Sequence, residues 1–86
     1  MDVLFSEKAL EQYIYWQNQD RKTLNRINDL LKDINRNGVD KGIGKPERLK
    51  YQFSSCWSRR IDDKNRLVYK IDDNGNLRVE ICKGHY

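Results

Sequence analysis

The sequence predicts an α+β fold in which an N-terminal short strand and a two-helix hairpin pack on an antiparallel β-sheet of about four to five strands. Apolar residues recur about every 3.6 positions in the first part of the chain, and from Arg48 onward they alternate with a period of about 2. A loop with Gly42, Gly44 and Pro46 separates the two patterns. Because the chain has 86 residues and no internal repeat, residues 1–86 are expected to form a single domain.

The first predicted elements are a short strand and a helix. Val3–Phe5 is an apolar run that is typical of a strand, and Ser6 followed by Glu7 offers an N-cap with an acidic residue in the first helical turn. One face of this helix is expected to consist of Leu10, Tyr13, Ile14 and Gln17.

A second helix follows, and Asp20 is its predicted N-cap. Its apolar stripe consists of Leu24, Ile27, Leu31 and Ile34, widened by Leu30. Asn37-Gly38 is expected to end this helix, so that the two helices form an antiparallel hairpin.

The remaining chain predicts three or four strands with apolar residues at odd positions. These strands are expected at Leu49–Phe53, Trp57–Ile61, Leu67–Ile71 and Leu77–Ile81. Polar turns at 62–65 and 72–76 separate the last three. Trp57 and Tyr69 lie at odd positions, which favours the core over a role in stacking on bases.

Even positions of these strands are predicted to face away from the helices, on a surface that nothing else in the chain covers. This outer face comprises Lys50, Ser58, Arg60, Arg66, Val68, Lys70, Arg78 and Glu80. Five cations and one acid on an open sheet suit an extended polyanion better than a small metabolite.

The charge distribution also favours an anionic partner. The chain has 17 Lys and Arg against 13 Asp and Glu, a net charge of +4. Residues 1–40 have six basic and seven acidic side chains, a net charge of −1, whereas residues 41–86 have eleven and six, a net charge of +5. The second half is therefore the predicted anion-binding half, although a run of charges is also typical of an ordinary solvated face.

Other function classes are disfavoured. No apolar stretch approaches the roughly 18 residues of a membrane span, and the acidic N-terminus is unlike a signal peptide, so we expect a cytoplasmic protein with no membrane partner. Cys56 and Cys82 are expected to be reduced packing residues. His85 is the only histidine, which leaves a multi-histidine metal site without ligands, and no cofactor is expected.

The sequence offers the groups that cleavage of RNA without a metal requires. A base must accept the ribose 2′-hydroxyl proton, cations must stabilise the phosphorane, and an acid must protonate the leaving oxygen. Candidates are Glu47 as the base, Lys50, Arg60 and Arg66 as the cations, and His85 as the acid.

Each candidate also has a purely structural interpretation. Glu47 could be a surface residue that neutralises neighbouring lysines, His85 could belong to a frayed tail, and Arg59 could extend past the core rather than bind phosphate. Glu47 and His85 also occupy odd positions. We therefore expect breaks in the strand alternation at Pro46 and Gly84 to bring them to the outer face.

Five segments occur in a characteristic order and span most of the chain. They are Tyr13–Gln17, Gly44–Lys50, Trp57–Ile61, Asn65–Tyr69 and the terminal His85-Tyr86. Together they resemble the Txe/YoeB family of toxins in the RelE-like superfamily. The resemblance implies a RelE-like, microbial ribonuclease-like fold.

The resemblance also implies a function: a bacterial type II toxin that cleaves translated mRNA in the ribosomal A site as a metal-independent endoribonuclease. It implies Glu47 as general base, His85 as general acid and Arg66 at the scissile phosphate, with a 2′,3′-cyclic phosphate as product. Supporting residues would be Lys50, Arg60 and Tyr86, with Arg59 as a further contact to RNA or ribosome.

The partners implied by the resemblance are mRNA, the ribosomal A site with its 16S rRNA and proteins, and a cognate antitoxin of the YefM/Phd type. A homodimer is left open. The residues alone leave two rival functions open. One is a non-catalytic relative of the same fold that binds DNA gyrase, and the other is an RNA-binding module that does not cleave.

Overall fold

A computed structural model describes residues 1–85. The elements are β1 (Val3–Phe5), α1 (Glu7–Gln19), α2 (Arg21–Asn37), β2 (Glu47–Arg48), a 3₁₀ turn (Tyr51–Phe53), β3 (Trp57–Arg60), β4 (Arg66–Ile71) and β5 (Leu77–Ile81). The strands form one sheet in the order β1-β5-β4-β3-β2, and the helices pack on one face of it. The predicted helical hairpin on a sheet is confirmed.

The sheet is mixed rather than purely antiparallel. β1 runs parallel to β5, with Val3 opposite Leu77, whereas the other three strand pairs are antiparallel. The prediction of an antiparallel sheet was therefore wrong for β1. A tight turn forces antiparallel pairing, but β1 pairs with the last strand of the chain and no tight turn constrains its direction.

Side-chain caps define the first turns of both helices as the sequence predicts. The Ser6 hydroxyl accepts a hydrogen bond from the Ala9 N–H at 3.0 Å and donates one to the Glu80 carbonyl at 3.0 Å, which joins the start of α1 to β5. The Asp20 carboxylate accepts from the N–H groups of Lys22 and Thr23 at the start of α2. These caps fix where the hairpin turns and how it enters the sheet.

The predicted apolar stripe of α2 is confirmed, because Leu24, Ile27, Leu30 and Ile34 are all buried. Its Leu31 is only half-buried.

The face predicted for α1 is wrong in part. Leu10 and Ile14 are 48% and 45% exposed, whereas Ala9 and Trp16 are buried. The helix is rotated because small Ala9 lies against the sheet and the Trp16 indole N–H donates to the Cys82 carbonyl at 2.8 Å. Within residues 1–85, neither helix combines the length and apolarity needed to cross a membrane.

The outer face of the sheet is partly covered, contrary to the prediction that nothing covers it. Val68 and Ile81 form a second small core there with Leu49 and Cys56, against which Phe53 packs. Ser58, expected on an open surface, is 2% exposed. The chain segment between β2 and β3 folds back over this part of the face. The basic pairs on either side of it, Arg60 with Arg66 and Lys70 with Arg78, are exposed or half-buried.

That covering segment is not the strand predicted at Leu49–Phe53. Only Glu47 and Arg48 pair with β3, and a 3₁₀ turn follows in which Tyr51 has φ of 59°. Alternating apolar residues were a sound strand signal, but here Leu49 and Phe53 pack on the second core while Tyr51 is 90% exposed.

Candidate functional site

Strand register brings three of the predicted site residues to the outer face. Glu47 lies opposite Ser58, and Ser58 lies opposite Val68 of the second core. Arg60 and Arg66 face each other two positions further along β3 and β4, on the same side of the sheet. Glu47 and Arg60 are thus diagonal neighbours, which lie about 7–8 Å apart between Cα atoms, and Arg66 lies directly across from Arg60 on the far side, so one carboxylate and two guanidinium groups can contact an extended substrate.

Glu47 reaches the outer face although it has an odd number. The alternation is interrupted twice, because Lys45 has φ of 52° and the 3₁₀ turn separates β2 from β3. The sequence predicts this break at Pro46, and the unusual backbone lies one residue earlier. Glu47 is exposed, at the rim of an open concavity of about 480 Å³ that residues 47–53 line, Lys50 among them.

The backbone of the C-terminal segment is hydrogen-bonded to α1, to the turn before β4 and to β4 itself. The Cys82 N–H donates to the Gln12 side-chain oxygen at 2.8 Å, while the Cys82 carbonyl accepts from Trp16. Gly84 donates its N–H to the Asn65 side-chain oxygen at 2.7 Å and accepts at its carbonyl from the Arg66 N–H at 3.0 Å. His85 follows directly and is exposed, so the chain is anchored immediately before it.

A β-bulge explains why the alternation changes before His85. Tyr69 lies opposite Val79 while Val68 lies opposite Ile81, so β5 has one extra residue, Glu80, at this point. Ile81 therefore packs on the outer face, and Cys82 returns to the main core. Gly84 adds the second irregularity that the sequence predicts, with φ of 84°.

The Arg66 side chain is positioned by the turn that precedes it. Its Nη1 donates to the carbonyls of Asp62 at 2.6 Å and Asn65 at 3.1 Å. Among residues 1–85, Nη1 is the only nitrogen of this guanidinium that donates a hydrogen bond, which leaves Nη2 and Nε available to a phosphate oxygen. Tyr86, the other C-terminal site residue, lies outside the described residues.

Arg59 has a different environment from Arg60. Its side chain is fully buried and all five of its N–H groups donate hydrogen bonds. Nε donates to the Tyr69 hydroxyl at 2.9 Å, Nη1 to the Asp33 carboxylate and the Ile43 carbonyl, and Nη2 to the carbonyls of Gly38 and Lys41. The sequence offered Arg59 as a contact for RNA or ribosome. A buried guanidinium with every donor engaged instead holds the 38–44 loop.

Two glycines let this loop close around Arg59. A Cβ at Gly42 would lie 1.8 Å from Asp33 Oδ2, and one at Gly44 would lie 2.9 Å from Leu30 Cδ2. Both have positive φ, and the Gly44 carbonyl accepts from the Arg60 N–H at 2.7 Å. The hydrogen bond from Arg59 is the largest cause that holds the pKa of the Asp33 carboxyl below its ordinary value. The loop leading to Glu47 is thereby fixed at its start.

Sequence reasoning missed the residues that position the site rather than line it. Asp33 was counted only among the acidic residues of the first half, and Asn65 was assigned to a polar turn and to the family-like segment Asn65–Tyr69. Both act through contacts between residues far apart in the chain, with 26 positions between Asp33 and Arg59 and 19 between Asn65 and Gly84. The one available signal was the turn 62–65, whose Asp and Asn are typical of side-chain to backbone hydrogen bonding.

Comparison with known proteins agrees with this architecture. A family model described as "YoeB-like toxin of bacterial type II toxin-antitoxin system" matches residues 5–86. Toxin YoeB of Escherichia coli strain K12 is 42% identical over 86 residues, with all of both chains covered.

Two solved structures from Staphylococcus aureus are similar. A chain of the heterotetrameric YoeB–YefM toxin–antitoxin complex has a TM-score of 0.91 at 48% identity, covering 100% of this chain and 98% of that one. A YoeB dimer has a TM-score of 0.92 at 46% identity, with the same coverage. The fold and the whole-chain similarity thus define a small toxin of a type II toxin–antitoxin system. The chain belongs to the family of YoeB-like toxins.

Proposed function

We propose that this toxin is a ribosome-dependent mRNA endoribonuclease that cleaves translated mRNA in the ribosomal A site and so inhibits translation. The observation that carries the proposal is the shared outer face, on which Glu47 lies diagonally across from Arg60, Arg60 lies opposite Arg66, and Arg66 is hydrogen-bonded through its backbone to the residue before His85. A base, two cations and an acid thus border one region of an open basic surface.

In the proposed reaction, the Glu47 carboxylate accepts the proton of the ribose 2′-hydroxyl, and the 2′-oxygen attacks the adjacent phosphorus. Arg66, supported by Arg60 and Lys50, stabilises the negative charge that builds on the phosphorane oxygens. His85 in its imidazolium form protonates the departing 5′-oxygen, leaving a 2′,3′-cyclic phosphate. Tyr86 is included as a supporting residue by resemblance alone.

The ribosome supplies what the protein surface lacks. A carboxylate is a weak base for a hydroxyl, so the rate depends on orienting the 2′-oxygen in line with the leaving group. The concavity beside Glu47 is open to solvent and is lined by the single segment 47–53, so it does not by itself fix the orientation of the 2′-oxygen. Codons held in the A site should therefore be cut much faster than naked RNA.

The proposed regulatory partner is an antitoxin of the YefM type. The Staphylococcus aureus relative is named in complex with YefM and also as a dimer. An acidic, partly disordered antitoxin segment would complement the outer face, on which Lys70 lies opposite Arg78 beyond the second core. Self-association of this chain is proposed on the similarity to the dimer. We propose a cytoplasmic location, where ribosomes and mRNA occur.

The test is in-vitro translation of a defined mRNA with the purified toxin, with the cut sites mapped by primer extension to the 5′ ends of the downstream fragments. Glu47→Gln is compared with the matched exposed variant Glu11→Gln on α1. We expect codon-phased cuts that require ribosomes, persist in Glu11→Gln and disappear in Glu47→Gln. Arrested translation without any cut would indicate a binder that blocks the ribosome, and continued translation would favour the gyrase-binding or RNA-module functions.

A further inference from the structure

The turn between β3 and β4 contacts the site at two places at once. Asn65 accepts the Gly84 N–H with its side-chain oxygen at 2.7 Å, immediately before His85. The backbone carbonyl of Asn65 accepts a hydrogen bond from Nη1 of Arg66 at 3.1 Å, and the backbone N–H of Arg66 donates to the Gly84 carbonyl at 3.0 Å. One residue therefore links the proposed acid to the proposed phosphate-binding cation.

The Asn65 amide is itself held in one orientation by Asp62. Its Nδ2 donates to both carboxylate oxygens of Asp62 at 3.0 Å, so the opposite end of the amide, Oδ1, is directed at Gly84. Asp62 Oδ1 also accepts the N–H groups of Lys64 and Asn65 at 2.8 Å. Partial burial raises the pKa of Asp62, but these hydrogen bonds outweigh it and hold the pKa below its ordinary value.

Gly84 needs such an anchor because of its backbone conformation. Its φ is 84°, a region that glycine enters at little cost but does not prefer over the alternatives. Within residues 1–85, and apart from its two chain neighbours, no atom lies within 4 Å of where a Cβ would be, so nothing packs on that side of Gly84. Its own backbone is held by the two hydrogen bonds to Asn65 and Arg66.

We infer that Asn65 is a positioning residue for the proposed cleavage: it fixes Gly84, and hence His85, beside Arg66, with Asp62 orienting its amide. The inference rests on the proposed function for its catalytic consequence, while its structural part stands on these hydrogen bonds. Asn65 does not contact the substrate. Its loss should lower the maximal cleavage rate and leave the ribosome concentration for half-maximal rate largely unchanged.

Exchanging the hydrogen-bond donor and acceptor between Asn65 and Asp62 tests this inference specifically. Asn65→Ala removes all three hydrogen bonds of the side chain, two to the Asp62 carboxylate and one from the Gly84 N–H. Asn65→Asp keeps an acceptor for the Gly84 N–H but sets two carboxylates against each other. Adding Asp62→Asn to Asn65→Asp restores a hydrogen bond between the two side chains with their roles reversed, because the new amide at position 62 can donate to the new carboxylate at position 65. The amide oxygen at position 62 can still accept the backbone N–H groups of residues 64 and 65, as the Asp62 carboxylate does. Asn74→Ala, in the turn between β4 and β5, is the matched control, since its side chain is exposed.

The first readout is hydrogen exchange of the Gly84 amide by NMR, which does not depend on activity. We expect exchange of the Gly84 amide to be at least about tenfold faster in Asn65→Ala, which corresponds to about 1.4 kcal/mol. In Asn65→Asp it should be faster by a smaller factor. In the double variant and in Asn74→Ala it should be near the native rate. Unchanged exchange in Asn65→Ala would overturn the inference. If Asn65→Ala failed to fold, the comparison of Asn65→Asp with the double variant would decide in the same way.

The second readout is cleavage on translating ribosomes over a range of ribosome concentrations. The maximal rate should fall at least about tenfold in Asn65→Ala and recover in the double variant. Faster Gly84 exchange with an unchanged maximal rate would show that the anchor holds the tail without serving catalysis, and would overturn the inference. If the native toxin itself did not cleave, the proposed function would fail, while the exchange data would still report on the anchor.

Discussion

Arg59→Lys is a conservative substitution that should nevertheless lower the free energy of unfolding strongly. The positive charge and most of the aliphatic chain remain, but an ammonium has three N–H donors and the guanidinium of Arg59 uses five. At least two acceptors therefore lose their partner. The five acceptors among which the loss falls are the Asp33 carboxylate, the Tyr69 hydroxyl and three carbonyls of the 38–44 loop.

The magnitude follows from the number of hydrogen bonds lost. Each hydrogen bond to a charged group contributes about 1.5–3 kcal/mol. Asp33 is 14% exposed, so water can replace part of what is lost and the lower figure applies. Two lost bonds then lower the free energy of unfolding by about 3 kcal/mol. For a domain of this size, such a loss lowers Tm by about 12–24 °C.

The assay is urea unfolding followed by circular dichroism, with Arg60→Lys as the matched control. Arg60 is the next residue in the same strand, and its side chain is exposed. We expect Arg60→Lys to change the free energy of unfolding by less than about 0.5 kcal/mol. The reasoning would be refuted if the two variants unfolded at the same urea concentration, because burial and donor number are what distinguish the two arginines.

Three further predictions concern the loop, the acid limit of stability and the C-terminal anchor. Gly42→Ala should destabilise more than Gly75→Ala by thermal unfolding, because both have positive φ but only the first places a Cβ against Asp33; equal losses would contradict this. The pKa of Asp33 is lowered in the fold, so its contribution is complete above the ordinary value of 3.8 and is lost as the pH falls through the lowered value. The stability of Asp33→Asn, measured by urea unfolding from pH 7 to pH 2, should therefore fall less steeply below about pH 4 than that of the native chain, and parallel curves would show that this carboxylate does not contribute. Trp16→Phe removes the hydrogen bond from the indole to the Cys82 carbonyl, so it should lower the free energy of unfolding in urea by about 1–3 kcal/mol and speed amide exchange at Gly84. Native-like values of both quantities would show that this hydrogen bond does not hold the C-terminal segment.

Much of the fold could be predicted from the sequence, because in the two helices the local signals mostly agree with the tertiary packing. Ser6 and Asp20 cap helices where expected, and the stripe of α2 is buried at helical spacing. Disagreement arises where a tertiary contact overrides the local pattern. Leu10 and Ile14 were reasonable core residues of α1, but the indole hydrogen bond of Trp16 and the small side chain of Ala9 determine which face meets the sheet.

In the candidate site too, residue types and strand positions were predictable from the sequence, whereas features set by tertiary contacts were not. Glu47, Arg66 and His85 could be selected from residue type and resemblance, and strand parity placed Arg60 and Arg66 on the outer face. The bulge at Glu80 has no marker in the sequence, since it consists of one residue too many in an otherwise regular strand.

The assignment of Arg59 was beyond sequence reasoning for a related reason. Arg59 and Arg60 are identical side chains one position apart, and only the 38–44 loop, folded against one face, separates a structural arginine from a candidate substrate contact.

The most direct test of the proposed function replaces the 2′-hydroxyl itself. A defined mRNA with a single 2′-deoxynucleotide at the mapped cut site is translated beside the all-ribose mRNA, and the same two RNAs are also incubated without ribosomes. We expect the all-ribose mRNA to be cut on the ribosome to a 2′,3′-cyclic phosphate, the deoxy-substituted mRNA to stay intact at that position, and naked RNA to be cut far more slowly. Equal cutting of the ribose and deoxyribose substrates, or equal rates with and without ribosomes, would contradict the proposed mechanism.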